Sequence, residues 1–128
     1  WGRIVNITSA AVKAPIDVLG LSNGARAGLT GFVAGISRKT IQQGVTINGL
    51  LPGPFLTDRI RSMNAAPAKA AGVPLDDFIA ARTKEHPSGR FGDPSEFGAT
   101  CAFLCSVHAG YITGQNILLD GGAFRGTL

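Results

Sequence analysis

Val45-Thr-Ile-Asn-Gly-Leu-Leu51, closed at once by Pro52-Gly53-Pro54, is the stretch that decides the fold. A short, almost unbroken run of β-branched and leucine side chains is the pattern of a strand buried on both faces, as in a parallel sheet. Pro-Gly-Pro then turns the chain, because proline cannot donate to a ladder. Gly44 suits the left-handed residue that stops a helix, and the helix expected before it runs from about Ser22 to Gln43. Ala25, Leu29, Phe32, Val33 and Ile36 share an arc of roughly 100° at 3.6 residues per turn, which makes them its expected buried face. Gly24, Gly28, Gly31 and Gly35 form a second, narrower stripe. Each helical glycine costs about 1 kcal/mol relative to alanine, so this stripe is expected to face a closely packed helix.

Working outward, Arg3-Ile-Val-Asn-Ile-Thr8 reads as another buried strand, ending in Ser9. Strand, long helix and strand make a parallel crossover unit, which is right-handed almost without exception. A buried parallel strand needs neighbours on both edges, so the sequence reads as a piece of something longer. Downstream, Thr57 to Arg90 is broken and rich in small residues, with a short helix expected near Asp58 and a mobile loop from Asn64 to Pro74. Another helix is expected over Leu75 to Glu85, with Asp76 and Asp77 favourably placed in its first turn. Asp93-Pro94-Ser95-Glu96 is a strong helix start, with an acidic cap, a proline in the first turn and a glutamate three residues on. Phe97, Cys101, Leu104 and Cys105 give that helix its apolar face to about Val107, and a last strand runs through Asn116 to Asp120 into Gly121-Gly122. The expectation is half of a layered α/β domain.

Composition agrees. The 128 residues are 45% hydrophobic and 16% charged, a core-building balance that excludes a disordered chain. No apolar run reaches the roughly 18 residues of a membrane span, and no basic leader opens the sequence. Twelve Lys+Arg against eight Asp+Glu give a charge of +4. The basic residues are scattered and not interleaved with aromatics, so no nucleic-acid surface is expected; a phosphate-bearing ligand remains the alternative to a plain solvated surface. Cys101 and Cys105 read as buried, reduced thiols of a cytoplasmic protein, and His86 and His108 add no metal-ligand spacing to them.

Six stretches together carry a resemblance: Gly2-Arg-Ile-Val-Asn-Ile-Thr-Ser9, Ala27-Gly-Leu-Thr-Gly31, Gly44-Val-Thr-Ile-Asn48, Pro52-Gly-Pro-Phe-Leu-Thr57, Arg90-Phe-Gly-Asp-Pro-Ser-Glu96, and Tyr111-Ile-Thr-Gly-Gln115 with Asp120-Gly-Gly122. In this order and spacing the chain resembles the C-terminal half of the short-chain dehydrogenase/reductase family, most closely its 3-oxoacyl-acyl-carrier-protein reductase-like members. The resemblance implies part of a doubly wound, Rossmann-like parallel sheet, here three strands plus helices and incomplete as an independent domain. It implies an NAD or NADP cofactor, hydride transfer to or from a small carbonyl or alcohol substrate, a homo-oligomer assembled through the long helix, and a substrate lid at about 57–90. Carried over, Ser9 hydrogen-bonds the substrate oxygen, Ile7 lies against the nicotinamide, and Pro52, Gly53 and Thr57 hold the nicotinamide and pyrophosphate end. Met63, Val73, Leu75, Phe78 and Ile79 would either wall an apolar substrate pocket or pack the lid onto the sheet.

Two departures from the family pattern stand out. The family's catalytic Tyr and Lys fall at Ser22 and Arg26, thirteen and seventeen residues beyond Ser9, and the single tyrosine, Tyr111, belongs to another motif. An aliphatic hydroxyl is several units less acidic than a phenol, and arginine is not interchangeable with lysine. No two glycines are separated by one residue, so the Gly-rich phosphate loop is absent from these 128 residues. The two readings are therefore an oxidoreductase with an altered acid/base site and a non-catalytic relative kept for binding or oligomerisation.

Overall fold

The computed structural model describes residues 1–127. Three strands, β1 (Gly2–Ile7), β2 (Val45–Pro52) and β3 (Asn116–Leu119), form one parallel sheet in the order β1-β2-β3. The helices are α1 (Gly20–Thr40), α2 (Asp58–Ala70), α3 (Leu75–Lys84) and α4 (Pro94–Cys105). The central strand is the stretch that announced the fold: Thr46 to Leu51 are all buried. On one side of it Leu50, Leu104 and Ala109 form a core with Val5, Phe97, Cys101, Ile112, Ile117 and Leu119 packed against them. That cluster brings α4 onto the sheet, while α1 packs along β2. The architecture is the expected Rossmann-like α/β arrangement.

The reading of α1 needs correction. Val33 is buried and Ile36 half-buried, but Ala25 is exposed and Leu29 and Phe32 remain 39% and 62% exposed. The less exposed positions instead follow Ser22, Arg26, Thr30, Val33 and Ser37, still a helical spacing. Hydroxyls can lie there because they are satisfied within the helix: Thr30 Oγ1 donates to the Arg26 carbonyl at 2.9 Å and Thr40 Oγ1 to the Ser37 carbonyl at 3.2 Å. Around Gly24, Gly28, Gly31 and Gly35 an added Cβ would meet nothing within 4 Å, so among the described residues no helix fills the stripe.

The expected loop from Asn64 to Pro74 is also overturned, since α2 continues to Ala70 with Pro67 inside it. Asn64 is 2% exposed; its Nδ2 donates to the Ile60 carbonyl at 2.7 Å and its Oδ1 accepts from Arg82 of α3. With Ala68 and Ile79 buried, tertiary packing outweighs the proline and the weak periodicity. The start of α4 is as read: Asp93 Oδ1 accepts from the Ser95 N–H and Glu96 Oε2 from the Asp93 N–H, both at 2.8 Å. α4 ends at Cys105, before a single 3₁₀ turn, Val107–Ala109. Cys101 and Cys105 are free thiols, but Cys105 is exposed and Cys101 only half-buried, against the expectation that both are buried; burial pushes the Cys101 thiol pKa up, with Cys105 adding to the shift. Among the described residues no helix is long and apolar enough to cross a membrane.

Candidate functional site at the carboxyl edge of the sheet

Parallel strands end on one edge, where open α/β sheets bind ligands. At the end of β1, Ile7 keeps 54% of its surface exposed. Ser9 follows, its Oγ accepting the Ala11 N–H at 3.1 Å and so capping the 3₁₀ turn Ala10–Val12. That turn packs against α1 and β2. The capping bond occupies an acceptor lone pair and leaves the Ser9 O–H free to donate. The chain then runs to α1 through a loop clamped by Asn23, whose Nδ2 donates to the Ile16 carbonyl at 2.8 Å and whose Oδ1 accepts the Ile16 N–H at 3.4 Å.

On α1, Arg26 Nη1 donates to Ser22 Oγ at 2.7 Å, while Arg26 Nε is buried with no partner. The structure thus brings together Ser22 and Arg26, the two residues that the sequence resemblance assigns to the Tyr and Lys positions. Among the described residues no hydrogen bond joins Ser9 to either of them.

At the end of β2, Gly53 is a close-approach glycine. Its N–H donates to the Leu119 carbonyl at 2.8 Å, and a Cβ there would sit 2.7 Å from Asp120 Cα. Pro52 pairs with Leu119 across the sheet. Thr57 caps α2, Oγ1 accepting the Ile60 N–H at 3.4 Å, and is exposed with its own O–H free. Ile7 and Leu50 are register partners, so Ile7 and the Pro52-Gly53 turn share the edge; Thr57 opens the helix that leaves it.

Several residues that shape this edge were not singled out from sequence. Asn48, fully buried in β2, donates from Nδ2 to the Ile112 carbonyl at 2.8 Å and accepts the Gln115 N–H on Oδ1 at 3.0 Å, fixing the loop before β3. The signal was available: a lone amide in an otherwise apolar buried strand needs partners. A cavity of about 210 Å³ opens beside the Gly53 turn, with Phe55, His86, Ser88, Arg90 and Asp120 among its lining. There Arg90 holds Glu96 through bonds of 2.7 and 2.8 Å, and this guanidinium, helped by the Asp93 N–H, lowers the Glu96 carboxyl to about 2. A shallower cleft of about 350 Å³ lies between α2 and α3 and the chain after β3. Its wall includes Ile60, Asn64, Arg82 and Glu85, whereas Met63 and Val73 are exposed and Ile79 is buried. Leu75 and Phe78 are half-buried and Ile79 is buried on α3, which packs against α2, and none of the five lines this cleft.

A parallel α/β sheet with a crossover helix, carrying Ile7 and the Pro52-Gly53 turn at its carboxyl edge, is the arrangement of the doubly wound nucleotide-binding class. Comparison with known proteins makes this specific. Residues 1–123 match the family model described as Enoyl-(Acyl carrier protein) reductase. The chain is 35% identical over 125 residues to the 3-oxoacyl-[acyl-carrier-protein] reductase FabG of Vibrio harveyi, covering 96% of this chain and 46% of that protein. Among solved structures it is similar to YwfH, an NADPH-dependent reductase involved in bacilysin biosynthesis (TM-score 0.86, 31% identity, 98% of this chain and 48% of that one). It is also similar to the NADPH-bound short chain oxidoreductase of Pseudomonas aeruginosa PAO1 that contains an atypical catalytic center (TM-score 0.79, 30% identity, 97% and 46%). The chain belongs to the short-chain dehydrogenase/reductase family, and it spans about half the length of the curated relatives it matches.

Proposed function

We propose that this chain is the C-terminal part of a single NAD(P)-binding domain, with residues 57–90 as its lid, in an oxidoreductase that interconverts a small carbonyl and its alcohol. The observation that carries the reading is the Ser22–Arg26 hydrogen bond at the family's acid/base positions, with Arg26 Nε buried and unpartnered beside it. A buried donor without a partner is costly, and an oxygen-rich group such as a ribose would satisfy it. Exposed Ile7 offers an apolar face at the sheet edge and exposed Thr57 a free O–H, so these residues fit the nicotinamide end of a dinucleotide. When bound, the nicotinamide supplies or accepts the hydride. NADPH-bound relatives such as the Pseudomonas oxidoreductase support NAD or NADP.

The chain's own residues move the proton and hold the substrate. Ser9 donates its free O–H to the substrate oxygen. Ser22, accepting from the Arg26 guanidinium, keeps its O–H for the developing alkoxide. The adjacent cation favours the deprotonated hydroxyl, but from a starting acidity far below that of a phenol. Since general acid/base assistance is worth about 10²–10⁴-fold, the full-length protein should turn over slowly without being inactive. The test is single-turnover and steady-state reduction of a carbonyl panel by full-length protein with NADPH. Failure to bind either dinucleotide would overturn the reading. The isolated 128 residues, which hold no Gly-rich phosphate loop, should bind neither well.

The second reading is a non-catalytic binding or oligomerisation protein of the same fold. α1 leaves Leu29 and Phe32 exposed beside its open glycine stripe, a surface suited to a second copy. A homo-oligomer serves both readings. Gly28→Leu should leave the monomer's stability near wild type and reduce its mass in sedimentation; an unchanged assembly would remove α1 from the interface. Free Cys101 and Cys105 accord with a cytoplasmic location.

A further inference from the structure

We propose that the cleft between the lid helices and the chain after β3 recognises a carboxylate on the substrate, so that the enzyme selects small acidic carbonyl compounds over neutral ones. This deepens the oxidoreductase reading and rests on it. The cleft measures about 350 Å³, within the range of small-molecule sites. Arg82 from α3 and Arg125 from the segment after β3 both line it, and among the described residues neither has a carboxylate within 4 Å. Two guanidiniums from separate elements, lining one concave surface with no carboxylate within 4 Å among the described residues, suit a ligand carboxylate.

The cleft has a built floor. Arg82 Nη1 donates to Oδ1 of the buried Asn64, whose Nδ2 is tied to the Ile60 carbonyl at 2.7 Å. One guanidinium nitrogen is thereby fixed, which orients the rest of the fork and reduces the entropy lost on binding. His86 also lines the cleft, without a donor assigned to the ligand. Its Nδ1 lies 2.7 Å from Ser88 Oγ, whose proton goes to the Arg90 carbonyl at 2.6 Å, and its Nε2 is buried with no partner. Glu85 also lines the cleft and brings the arginine pair to a net single positive charge, which suits one carboxylate and disfavours a dianion. Pro54 lines the same cleft one residue beyond Gly53, placing it next to the carboxyl edge of β2.

The experiment uses the full-length protein saturated with NADPH, a 3-oxo carboxylate and its methyl ester. The expected kcat/KM ratio favours the acid by at least about tenfold, the effect of one charge-assisted bond, with Arg82→Gln and Arg125→Gln each compressing the ratio through KM. Equal rates for acid and ester, or a ratio unchanged in both variants, overturn the proposal while the reductase reading stands. If no carbonyl is reduced, that reading fails and calorimetric titration with the same 3-oxo acid decides the cleft: saturable one-to-one binding lost in Arg125→Gln supports it, and no binding overturns it. Competition between the acid and NADPH would assign the arginines to the dinucleotide and also overturn it. Should Arg82→Gln lower the melting temperature by releasing Asn64, Arg125→Gln on the exposed segment carries the test alone.

Discussion

Arg26 Nη1 and Ser22 Oγ meet at 2.7 Å one helical turn apart on α1, a guanidinium holding the hydroxyl that we propose takes the place of the family's phenol. The contact fixes the Ser22 rotamer and leaves the hydroxyl proton free. If proton transfer limits the reaction, restoring the family pair should accelerate it. Ser22→Tyr with Arg26→Lys should raise kcat of the full-length protein by about 10²-fold, the lower part of the general acid/base range. Arg26→Ala alone should lower it. Parent turnover already in the ordinary enzyme range of about 1–10³ s⁻¹ would show that another residue does the tyrosine's work.

Asn48 carries a different kind of prediction. It is fully buried and satisfies two backbone groups of the loop before β3, the Ile112 carbonyl and the Gln115 N–H. Asn48→Ala strands both, at a cost of about 1–3 kcal/mol for a buried unpaired group. Asn48→Asp still accepts from Gln115 but cannot donate to Ile112, and it buries a charge, so it should be no more stable than Asn48→Ala. Denaturant midpoints for the three proteins decide this, and wild-type stability in either variant would mean that the loop is held by other contacts.

The central strand, the crossover helix and the capped start of α4 were legible because each rests on a local pattern: an apolar run, a glycine stop, and Asp93-Pro94 with Glu96. The outward face of α1 was not, since the less exposed stripe through Thr30, Ser37 and Thr40 depends on hydroxyls finding partners inside their own helix. Asn64 likewise looks like a loop residue until Arg82, eighteen positions on, supplies its partner. Near α1, position against the family pattern singled out Ser22 and Arg26, but their direct contact and the arginine-lined cleft beside α2 and α3 are tertiary facts.

Gly53 tests the packing at the sheet edge. A methyl group there would lie 2.7 Å from both Cα and Cβ of Asp120, against backbone that cannot swing aside as a long side chain does. Gly53→Ala should therefore destabilise the protein by about 1–3 kcal/mol, as overpacking does. It should also weaken cofactor affinity, because the Pro52-Gly53 turn would have to shift. Unfolding curves and dinucleotide titration together check this, and an unperturbed variant would show that the turn and the Asp120 segment move apart freely.

Arg90 and Glu96 set the acid limb of the stability profile. Glu96 is held at about 2 instead of its ordinary 4.5, first by the Arg90 side-chain bond and then by the Asp93 N–H, and the Asp93 carboxyl is itself lowered by bonds from Ser95. A carboxylate whose folded pKa lies below its unfolded value stabilises the fold in full above the unfolded value and loses that contribution as pH falls through the folded one. The window is therefore about pH 4.5 down to about 2. Both side chains are about half exposed, so salt should shrink the effect. Glu96→Gln keeps the shape and an acceptor for the Asp93 N–H but cannot ionise. Its stability should fall below wild type above pH 4.5, and the two curves should converge toward pH 2. Parallel curves across that window would mean that the pair contributes nothing through ionisation and that the cap alone holds the start of α4.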